Sequence, residues 1–470
     1  MIFNSIEFLL FFAVFFCLYW FVFQRNFRAQ NIFILAASYF FYGWWDWRFV
    51  SLLILSTLID YAFGLAINRT SKRKLYLWLS IVNNLTILGF FKYYDFFASS
   101  FQDVALKLGF TVHPYFLDIV LPVGISFYTF HGMSYVFDIY NGKVQPTKDF
   151  VQYAVFVSFF PLLVAGPIER ASHLLPQVQK PRQFNYDQAM DGMRLILWGL
   201  FKKVVVADSL AIVVNEIFAS PSSYSGSTLV LGAVCFAFQI YGDFSGYTDI
   251  ALGTAKLLGF ELLTNFRFPY FSRDIAEFWR RWHISLSSWF RDYVYVPLGG
   301  SKQGPWISIR NIFVIFLLSG FWHGAKWTYL VWGGFHALLY VPLFLFGVNR
   351  QHASEIVAAE RWLPTVREMV QILGTFVLVT IGWVFFRADS VTSALSYFAH
   401  IPKGILSIPQ HLSSLGIIAI FLVLDWTTRR SERKPHPFIP AVPYVIALLL
   451  ILLVFGKGGS ENIEFIYFQF

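Results

Sequence analysis

The sequence predicts an all-α integral membrane protein that crosses the bilayer many times, and three observations support this prediction. Of its 470 residues, 57% are hydrophobic and only 13% are charged, whereas an ordinary soluble domain has roughly 45–50% apolar and about 25% charged residues. Phenylalanine alone occurs 56 times, and the mean hydropathy is +0.57. The apolar residues are gathered in long segments between short polar stretches. A soluble core cannot bury so much apolar mass, so the lipid bilayer is the expected partner.

Thirteen apolar segments are candidates for transmembrane helices, since a bilayer core of ~30 Å needs about 20 such residues. In chain order they are Ile6–Phe23, Asn31–Trp44, Phe49–Ile67, Leu75–Phe91, Phe116–Tyr140, Tyr153–Val164, Ala189–Phe218, Thr228–Phe260, Ile312–Trp322, Trp327–Phe346, Met369–Phe386, Leu415–Trp426 and Val442–Phe455. Three of them, Asn31–Trp44, Tyr153–Val164 and Ile312–Trp322, are too short to cross alone. They are predicted to be tilted, re-entrant or broken helices, because freed backbone groups in a membrane must face protein or water. We expect residues 1–470 to form one membrane unit.

The charges of the first loops predict the orientation of the chain. Gln24–Gln30 carries two arginines, Gly43–Arg48 has no net charge, and Asn68–Lys74 carries four basic residues. Cytoplasmic loops are rich in lysine and arginine, so the first and third loops are expected in the cytoplasm and the N-terminus outside. Phe266–Arg310, with seven basic and three acidic residues, is also predicted to be cytoplasmic. Because the +9 formal charge lies in short runs between apolar segments, no nucleic acid partner is expected.

His323 is the first candidate for a catalytic residue. It follows Trp322 at the end of an apolar segment, with Gly320 and Gly324 beside it. An ionisable side chain at membrane depth is costly and therefore a candidate for function. Imidazole titrates near neutrality, which suits a general base that takes a proton from an attacking hydroxyl. The glycines would let another chain or a substrate come close and are compatible with a narrow channel. A structural, hydrogen-bonded histidine is the competing interpretation.

His283, the second candidate, lies within the basic and aromatic stretch Phe278–Tyr293. Its tryptophans and arginines interleave at helical spacing, which predicts an interfacial helix with aromatic rings at headgroup level. Its cations could meet phosphate or carboxylate groups. The residues concerned are Trp279, Trp282, Trp289 and Phe290, with Arg280, Arg281 and Arg291. Lipid anchoring and a mouth for an anionic, phosphate-bearing donor are both compatible with this pattern.

Gln239–Asp249 is a polar island within an otherwise apolar helix. Asp243 and Tyr247 are four residues apart and share one face of that helix. Asp243 and Asp249 need partners at such depth, for instance arginines from the interfacial stretch. A structural network and a substrate contact through Asp243, Ser245 and Tyr247 are therefore equally open.

Soluble-enzyme motifs are absent from the sequence. It contains no P-loop, no G-x-G-x-x-G and no G-x-S-x-G pattern. Its two cysteines form no C-x-x-C pair and no cluster with histidine. We therefore expect no bound metal and no bound cofactor.

Several segments of the chain resemble the membrane-bound O-acyltransferases. They are Pro122–Phe130, Phe160–Ile168, Ser245–Asp249, Trp279–Gly300, Trp322–His323 and Ile381–Ala388. At the C-terminus, Phe455–Gly458 and Phe465–Phe470 resemble the bacterial alginate O-acetyltransferase branch more than the D-alanyl-teichoic acid branch. His131 departs from the pattern, since a glutamine is expected there in many relatives. The resemblance covers nearly the whole chain.

The resemblance implies a ring of about 11–13 transmembrane and re-entrant helices around a thinned, funnel-shaped centre. It implies that His323 lies midway along a tunnel and His283 on the cytoplasmic side. The implied activity is transfer of an acetyl group across the membrane, from acetyl-coenzyme A or another cytoplasmic acyl thioester to a hydroxyl for extracytoplasmic polysaccharide. His323 would act as general base or hold the acyl group, and His283 would orient the donor or assist protonation. The substrate contacts predicted beside them are Trp282, Arg280, Arg281, Arg291, Asp243, Ser245, Tyr247 and Trp322.

The resemblance also implies a place in the bacterial cytoplasmic (inner) membrane and an extracytoplasmic partner of the serine-hydrolase (SGNH hydrolase-like) type. Within the family, the alternative is transfer of D-alanine to teichoic acid. From the residues alone, a transporter or flippase explains broken helices and intramembrane polar groups equally well. A scaffold that only holds a secreted enzyme is a third class, for which neither histidine would matter.

Overall fold

The computed structural model describes residues 1–117, 119–164, 166–353, 355–430, 448, 450, 465 and 466. All regular structure in these ranges is helical. The α-helices are α1 (Ile6–Cys17), α2 (Phe27–Gly43), α3 (Arg48–Arg69), α4 (Arg73–Leu88), α5 (Tyr94–Lys107), α6 (Ile125–Tyr140), α7 (Phe150–Ser158), α8 (Phe160–Leu163), α9 (Ala171–Val178), α10 (Tyr186–Leu200), α11 (Asp208–Ala219), α12 (Gly226–Leu257), α13 (Ile275–Arg281), α14 (Ile284–Phe290), α15 (Pro305–His323), α16 (Trp327–Leu345), α17 (Val366–Arg387), α18 (Val391–His400) and α19 (Ser414–Thr428). π-Helical turns lie at Leu18–Val22, Gly89–Tyr93, Phe201–Ala207 and Arg291–Tyr295, and 3₁₀ turns at Pro221–Ser223 and Pro269–Phe271.

Six helical stretches of the described chain are long and apolar enough to cross a membrane. They are Arg48–Arg69, Arg73–Lys107, Gly226–Leu257, Pro305–His323, Trp327–Leu345 and Val366–Arg387. Shorter apolar helices cover Ile6–Val22 and Ser414–Thr428. The predicted all-helical membrane class is confirmed. The predicted segment Val442–Phe455 lies almost entirely outside the described residues.

The expectation that Ile312–Trp322 is too short to span is wrong. Helix α15 has 19 residues, because it begins at Pro305 and continues through a polar first half. Proline is favoured at the first position of a helix, where its missing N–H costs nothing. Asn311 is fully buried, and its amide donates to the backbone oxygen of Gly300 at 3.1 Å. The apolar pattern ends at such polar residues, although the helix continues through them. Because the whole helix is long enough to cross a bilayer, this segment gives no support for a thinned membrane.

The prediction of a broken helix at Tyr153–Val164 is confirmed. α7 and α8 are separated at Phe159, and Pro161 lies in the first turn of α8. The backbone N–H of Phe160 donates to the Ser38 hydroxyl at 3.1 Å. A side chain from α2 therefore satisfies a backbone group that the break releases, as a membrane interior requires.

The predicted helix from Phe116 starts later than expected. α6 begins only at Ile125, after Pro122 and Gly124. Gly124 has a φ of 74°, and a Cβ there would overlap the backbone oxygen of Leu163. Both the left-handed conformation and the close approach of α8 thus require glycine at this position.

The described residues form two compact units. Unit 1 comprises Met1–Met193 and Ala251–Leu263, and unit 2 comprises Arg194–Ile250 and Thr264–Phe470. Within unit 1, the buried Asp60 carboxylate of α3 accepts hydrogen bonds from the Ser80 hydroxyl at 2.7 Å and the Asn84 amide at 2.8 Å, both on α4. Neutral donors of this kind stabilise a polar group in an apolar helix bundle. The single-domain expectation stays a prediction.

Within unit 2, α15 and α16 pack backbone against backbone. A Cβ on Gly320 would overlap the backbone oxygen of Tyr329, and one on Gly333 would overlap the backbone oxygen of Phe316. Gly324 faces the Tyr329 ring, which occupies the space a Cβ would need. Gly320 and Gly324 therefore serve close helix packing, and a narrow channel at this place stays a prediction.

Candidate active site

His323 ends α15 and is only 3% exposed. Three aromatic rings surround its imidazole, and we call Trp322, Trp332 and Phe386 the His323 cage. Their ring centroids lie 5.0, 5.3 and 5.3 Å from that of His323. All three rings stand within about 15° of perpendicular to the imidazole (78°, 88° and 75°), the edge-to-face arrangement that aromatic pairs prefer. The packing of α15, α16 and α17 thus fixes the position of this histidine.

His283 lies between α13 and α14 with φ 45°, a left-handed conformation that is uncommon for a residue with a side chain. The predicted single interfacial helix is therefore wrong, because the chain turns sharply at this histidine. Its side chain is fully buried, and its ring lies 4.7 Å from that of Phe244 on α12. The turn directs the imidazole inward, and its ring centroid lies 6.1 Å from that of His323.

Asn265 determines which nitrogen of His283 carries the proton. The Asn265 Oδ1 lies 3.0 Å from His283 Nδ1 and also accepts from the backbone N–H and the hydroxyl of Ser285, at 3.3 and 3.0 Å. Since an oxygen acceptor faces Nδ1, that nitrogen is protonated and Nε2 keeps the lone pair. His283 lies outside the six candidate spans, and burial lowers its pKa to about 3. The ring is therefore neutral at neutral pH and acts as an acceptor.

Sequence analysis missed Asn265. It lies in the connection between α12 and α13, and its backbone oxygen accepts from the N–H of Ile284 at 2.9 Å. A neighbouring bond, from Arg267 N–H to Arg281 O at 2.9 Å, ties the same loop to α13. The sequence shows Asn265 between Thr264 and Phe266, and nothing in this local pattern reveals its partner 18 residues away.

The buried aspartates of α12 pair with lysines. Lys203 Nζ lies 2.7 Å from Asp208 Oδ1 and 3.0 Å from Asp243 Oδ1, and Lys202 Nζ pairs with Asp249. We call these five residues the lysine–aspartate network. Both lysines belong to the π-helical turn after α10, and extra residues in such turns often mark functional positions. The expected arginine partners are wrong, because lysines from this turn take their place.

Ser245 and its neighbours on α12 are engaged within the protein. The Ser245 hydroxyl accepts from Lys202 Nζ at 2.9 Å and donates to the backbone oxygen of Tyr241 at 2.6 Å. These contacts favour the structural interpretation of the polar island. A substrate contact through Asp243, Ser245 or Tyr247 stays a prediction.

Two residues near the C-terminus, Phe465 and Ile466, are buried against this island. The Ile466 N–H donates to Asp243 Oδ2 at 2.6 Å, and the Phe465 ring lies 4.3 Å from that of Tyr247. The remainder of the Phe455–Gly458 and Phe465–Phe470 signature lies outside the described residues.

The three predicted arginines have different surroundings. Arg281 pairs with the buried Glu277 at 2.8 Å, and the largely exposed Arg291 pairs with Asp292 at 2.8 Å. Arg280 donates from one terminal nitrogen to the backbone oxygen of Asn349 at 2.7 Å. Its Nε and other terminal nitrogen are buried without a partner among the described residues. Arg280 is therefore the arginine with unused donors.

Arg280 lines a cavity of about 770 Å³ within unit 2, which we call the arginine-lined cavity. Arg291 and Arg350 also line this cavity, and Arg350 was not predicted. The apolar part of the lining includes Ile312, Ile315, Phe316 and Phe344, and its hydroxyl groups come from Ser287, Ser288, Ser301 and Ser319. Ser319 lies one helical turn before His323 on α15. The cavity thus combines arginine and apolar side chains, and its lining reaches Ile284 and Ser319, which neighbour His283 and His323 in the chain.

The predicted belt of aromatic rings at headgroup level is wrong. Trp279, Trp282 and Trp289 are 8%, 2% and 4% exposed. The Trp282 ring lies 4.9 Å from that of Trp383 on α17, and the Trp279 indole N–H donates to His336 Nδ1 at 3.3 Å. α13 packs against α16 and α17, and the three tryptophan side chains are buried, so these rings form protein core.

Comparisons with known proteins find similarity to membrane-bound O-acyltransferases. The model of the MBOAT, membrane-bound O-acyltransferase family, matches residues 145–355. A protein named probable alginate O-acetylase AlgI, from Pseudomonas putida, is 36% identical over the full length of both chains. Its namesake from Pseudomonas aeruginosa is 40% identical over 84% of this chain and 73% of its own. A peptidoglycan O-acetyltransferase from Helicobacter pylori is 35% identical over 94% of this chain and 86% of its own.

Proposed function

The chain belongs to the membrane-bound O-acyltransferase family and is a multi-pass membrane acyltransferase, and from that premise we propose that it O-acetylates an extracytoplasmic polysaccharide, alginate or a similar polymer. The acetyl group passes from a cytoplasmic thioester to a hydroxyl beyond the membrane. The observation that carries the proposal is the buried pair His283 and His323, whose ring centroids lie 6.1 Å apart, together with the arginine-lined cavity. The lining of that cavity includes Ile284, next to His283 in the chain, and Ser319, one helical turn before His323. The names of the relatives support acetyl as the group transferred and a cell-surface polymer as its destination.

The arginine-lined cavity fits a phosphate-bearing acyl thioester such as acetyl-coenzyme A. The unused donors of Arg280 suit a phosphate, since guanidinium–phosphate hydrogen bonds are strong and geometrically specific. The apolar residues of the lining then accommodate the uncharged arm that carries the thioester. Arg281 is committed to Glu277, so we assign it to holding α13 and not to the donor.

In the proposed reaction, His323 takes the proton of the acceptor hydroxyl as its oxygen attacks the thioester carbon. The tetrahedral intermediate collapses by breaking the carbon–sulfur bond, and the proton on His323 passes to the departing thiolate. Trp332 supplies a candidate donor for the oxyanion, because its indole N–H is buried next to His323 without a partner in the described chain. A transient acyl group on His323 is the alternative route.

His283 acts as an acceptor in this scheme. Its Nδ1 proton is committed to Asn265 and its ring is neutral, so only Nε2 can receive a hydrogen bond. A thiol leaving group has a pKa near 8.5, so its thiolate needs little help from an acid. The sequence left two roles open for His283, orienting the donor and assisting protonation. We assign it to orienting the donor only.

Removing the Asn265 acceptor is expected to lower kcat about tenfold or more, because the His283 ring loses its fixed tautomer and orientation. Asn265→Ala removes the acceptor oxygen, whereas Asn265→Asp keeps it. We expect the aspartate variant to retain most of the activity and the alanine variant to lose it while KM for the donor changes less. Equal activity of Asn265→Ala and the wild type would rule out this positioning role.

Arg280→Gln is expected to raise KM for acetyl-coenzyme A about tenfold or more, since a charge-assisted phosphate contact contributes about 1.5–3 kcal/mol. Arg281→Gln is the matched variant, with the same change in charge at the next position, and we expect it to reduce protein amount instead. Initial rates measured across donor concentrations separate the two effects. An unchanged KM in Arg280→Gln would remove Arg280 from the donor site.

The protein is proposed to lie in the bacterial inner membrane with its N-terminus outside. An SGNH hydrolase-like protein on the outer side is the proposed partner that completes delivery to the polymer. The orientation is tested by replacing Arg25 in the first loop and Trp47 in the second loop with cysteine, one at a time, and adding a thiol reagent that does not cross the membrane. We expect labelling at position 47 and protection at position 25. Labelling at position 25 and protection at position 47 would reverse the orientation.

The function is tested by expressing the protein in an alginate-producing bacterium that lacks its own O-acetylase. We expect ester-linked acetate to reappear on the polymer, measured after release with alkali. The same cells are examined for acetylated peptidoglycan, since one relative carries that name. If acetate appears on peptidoglycan alone, the acceptor polymer is peptidoglycan and not alginate. If acetate appears on neither polymer, the proposed function is contradicted.

A further inference from the structure

The His323 cage leaves little space beside the imidazole. Its three ring centroids lie 5.0–5.3 Å from that of His323. The cage residues are themselves nearly completely buried, with Trp332 at 0% and Phe386 at 2% exposure. A group that approaches the histidine must therefore fit between these rings.

The walls of the cage are supported from behind. Trp332 and Phe386 are in contact, with ring centroids 5.2 Å apart, and Trp383 packs on both, at 5.8 and 5.4 Å. The Tyr329 ring lies 4.8 Å from that of Phe386 on its other side. Trp332 and Trp383 stack at 21°, and the other three pairs are edge-to-face. This packing holds each ring in position, and close-packed interiors yield little to an extra methylene group.

The helices that carry the cage cannot move apart easily. α15 and α16 approach through Gly320 and Gly333, where the opposing backbone already fills the space of a Cβ. α17 presents Gly382 to His336 of α16, at the point where a Cβ would lie 2.8 Å from the imidazole Nε2. Widening the cage would break these close contacts, so the cage dimensions are set by the backbone as well as by the rings.

From these contacts we propose that the His323 cage limits the transferred acyl group to acetyl, with Phe386 as the residue that determines chain length. This inference rests on the proposed function, because it places the acyl carbon beside His323. Phe386 is chosen because it is the cage residue on α17, and the proposed reaction gives it no part in proton transfer or in binding the oxyanion. A longer acyl chain would have to displace this ring, and a hydrophobic pocket rejects one extra methylene by about 10- to 200-fold.

The experiment is a competition between two donors. Permeabilised cells of the alginate-producing host receive equal concentrations of acetyl- and butyryl-coenzyme A, and the acids released from the polymer by alkali are counted by mass spectrometry. We expect the wild type to favour acetyl by at least tenfold. Phe386→Ala removes a phenyl ring, which is larger than the ethyl group that separates butyryl from acetyl. We therefore expect this variant to lower the acetyl preference about tenfold or more.

Phe421→Ala is the matched control. Phe421 is 0% exposed in unit 2 and packs on Trp198, Phe201, Phe238 and Tyr241, away from the cage. The Phe421→Ala substitution creates a comparable cavity and should keep the acetyl preference of the wild type. Phe386→Leu, a smaller change, should lie between wild type and Phe386→Ala and remains informative if the alanine variant does not accumulate in the membrane.

The outcomes separate this inference from the function on which it rests. If acyl transfer depends on His323 but both Phe386 variants keep the wild-type acetyl preference, the cage does not set chain length and the proposed function stands. If Phe421→Ala relaxes the preference as much as Phe386→Ala, general loosening is the cause and the inference fails. If no His323-dependent acyl transfer occurs, the proposed function fails and this inference fails with it.

Discussion

Replacing His323 with alanine is expected to lower acyl transfer to the polymer about 10³-fold or more, because general-base catalysis by a placed side chain contributes roughly 10²–10⁴-fold. The imidazole lies among three aromatic rings, and indole and phenyl rings cannot act as a general base in its place. The measurement is ester-linked acetate on the polymer, normalised to the amount of protein in the membrane. Transfer at the wild-type rate would remove His323 from the chemistry.

His131→Gln is the control for this experiment. His131 is a fully buried histidine of unit 1 on α6, so its substitution tests the loss of a buried imidazole without touching the candidate site. We expect near-normal activity from it. His283→Ala is expected to reduce activity less severely than His323→Ala, since His283 orients and does not take the hydroxyl proton. A greater loss in His283→Ala would exchange the two roles.

Lys203→Met is expected to destabilise the protein by about 3–5 kcal/mol, the usual cost of removing one partner from a buried ion pair. Lys203 is 0% exposed and contacts both Asp208 and Asp243. Methionine fills a similar volume but leaves the two carboxylates without this cation. The measurement is denaturant unfolding in detergent, together with the amount of protein recovered from the membrane.

Lys256→Met provides the comparison for the lysine–aspartate network. Lys256 pairs with Glu261 at 3.0 Å in unit 1, but the glutamate side chain is half exposed, and such pairs contribute about 0–1 kcal/mol. Adding Asp208→Asn and Asp243→Asn to Lys203→Met should restore part of the stability, because the stranded charges are removed. Equal destabilisation by both lysine substitutions would mean that the network is not a buried charge cluster.

Much of the helical organisation could be predicted because lipid imposes a simple rule on sequence. The segments Phe49–Ile67 and Trp327–Phe346 match α3 and α16 closely, since apolar stretches of that length must be helical in a bilayer. The prediction failed at α15, where buried polar residues interrupt the apolar pattern. Hydropathy measures preference for lipid, and a side chain such as Asn311 is satisfied by protein instead.

The candidate site was predicted only in part. His283 and His323 were identified from their residue type and setting, yet their separation of 6.1 Å depends on the left-handed turn at His283 and on the packing of α15. The roles of the three arginine candidates were not separated, although Glu277 lies four residues before Arg281 and Asp292 follows Arg291 directly. The partner of Arg280, Asn349, lies 69 residues further along the chain and could not be predicted.

The amino-acid sequence by itself determined that this chain is a helical membrane protein of a known acyltransferase family and which imidazoles are candidates for its chemistry. These conclusions depend on composition and on local residue patterns, which the chain carries before it folds. Only the tertiary structure decided that Asn265 fixes the tautomer of His283, that Lys202 and Lys203 pair with the aspartates of α12, and that aromatic rings enclose His323. Each of these depends on contacts between residues far apart in the chain, and hydrogen bonds, ion pairs and ring packing act over a few ångströms whatever the separation in sequence.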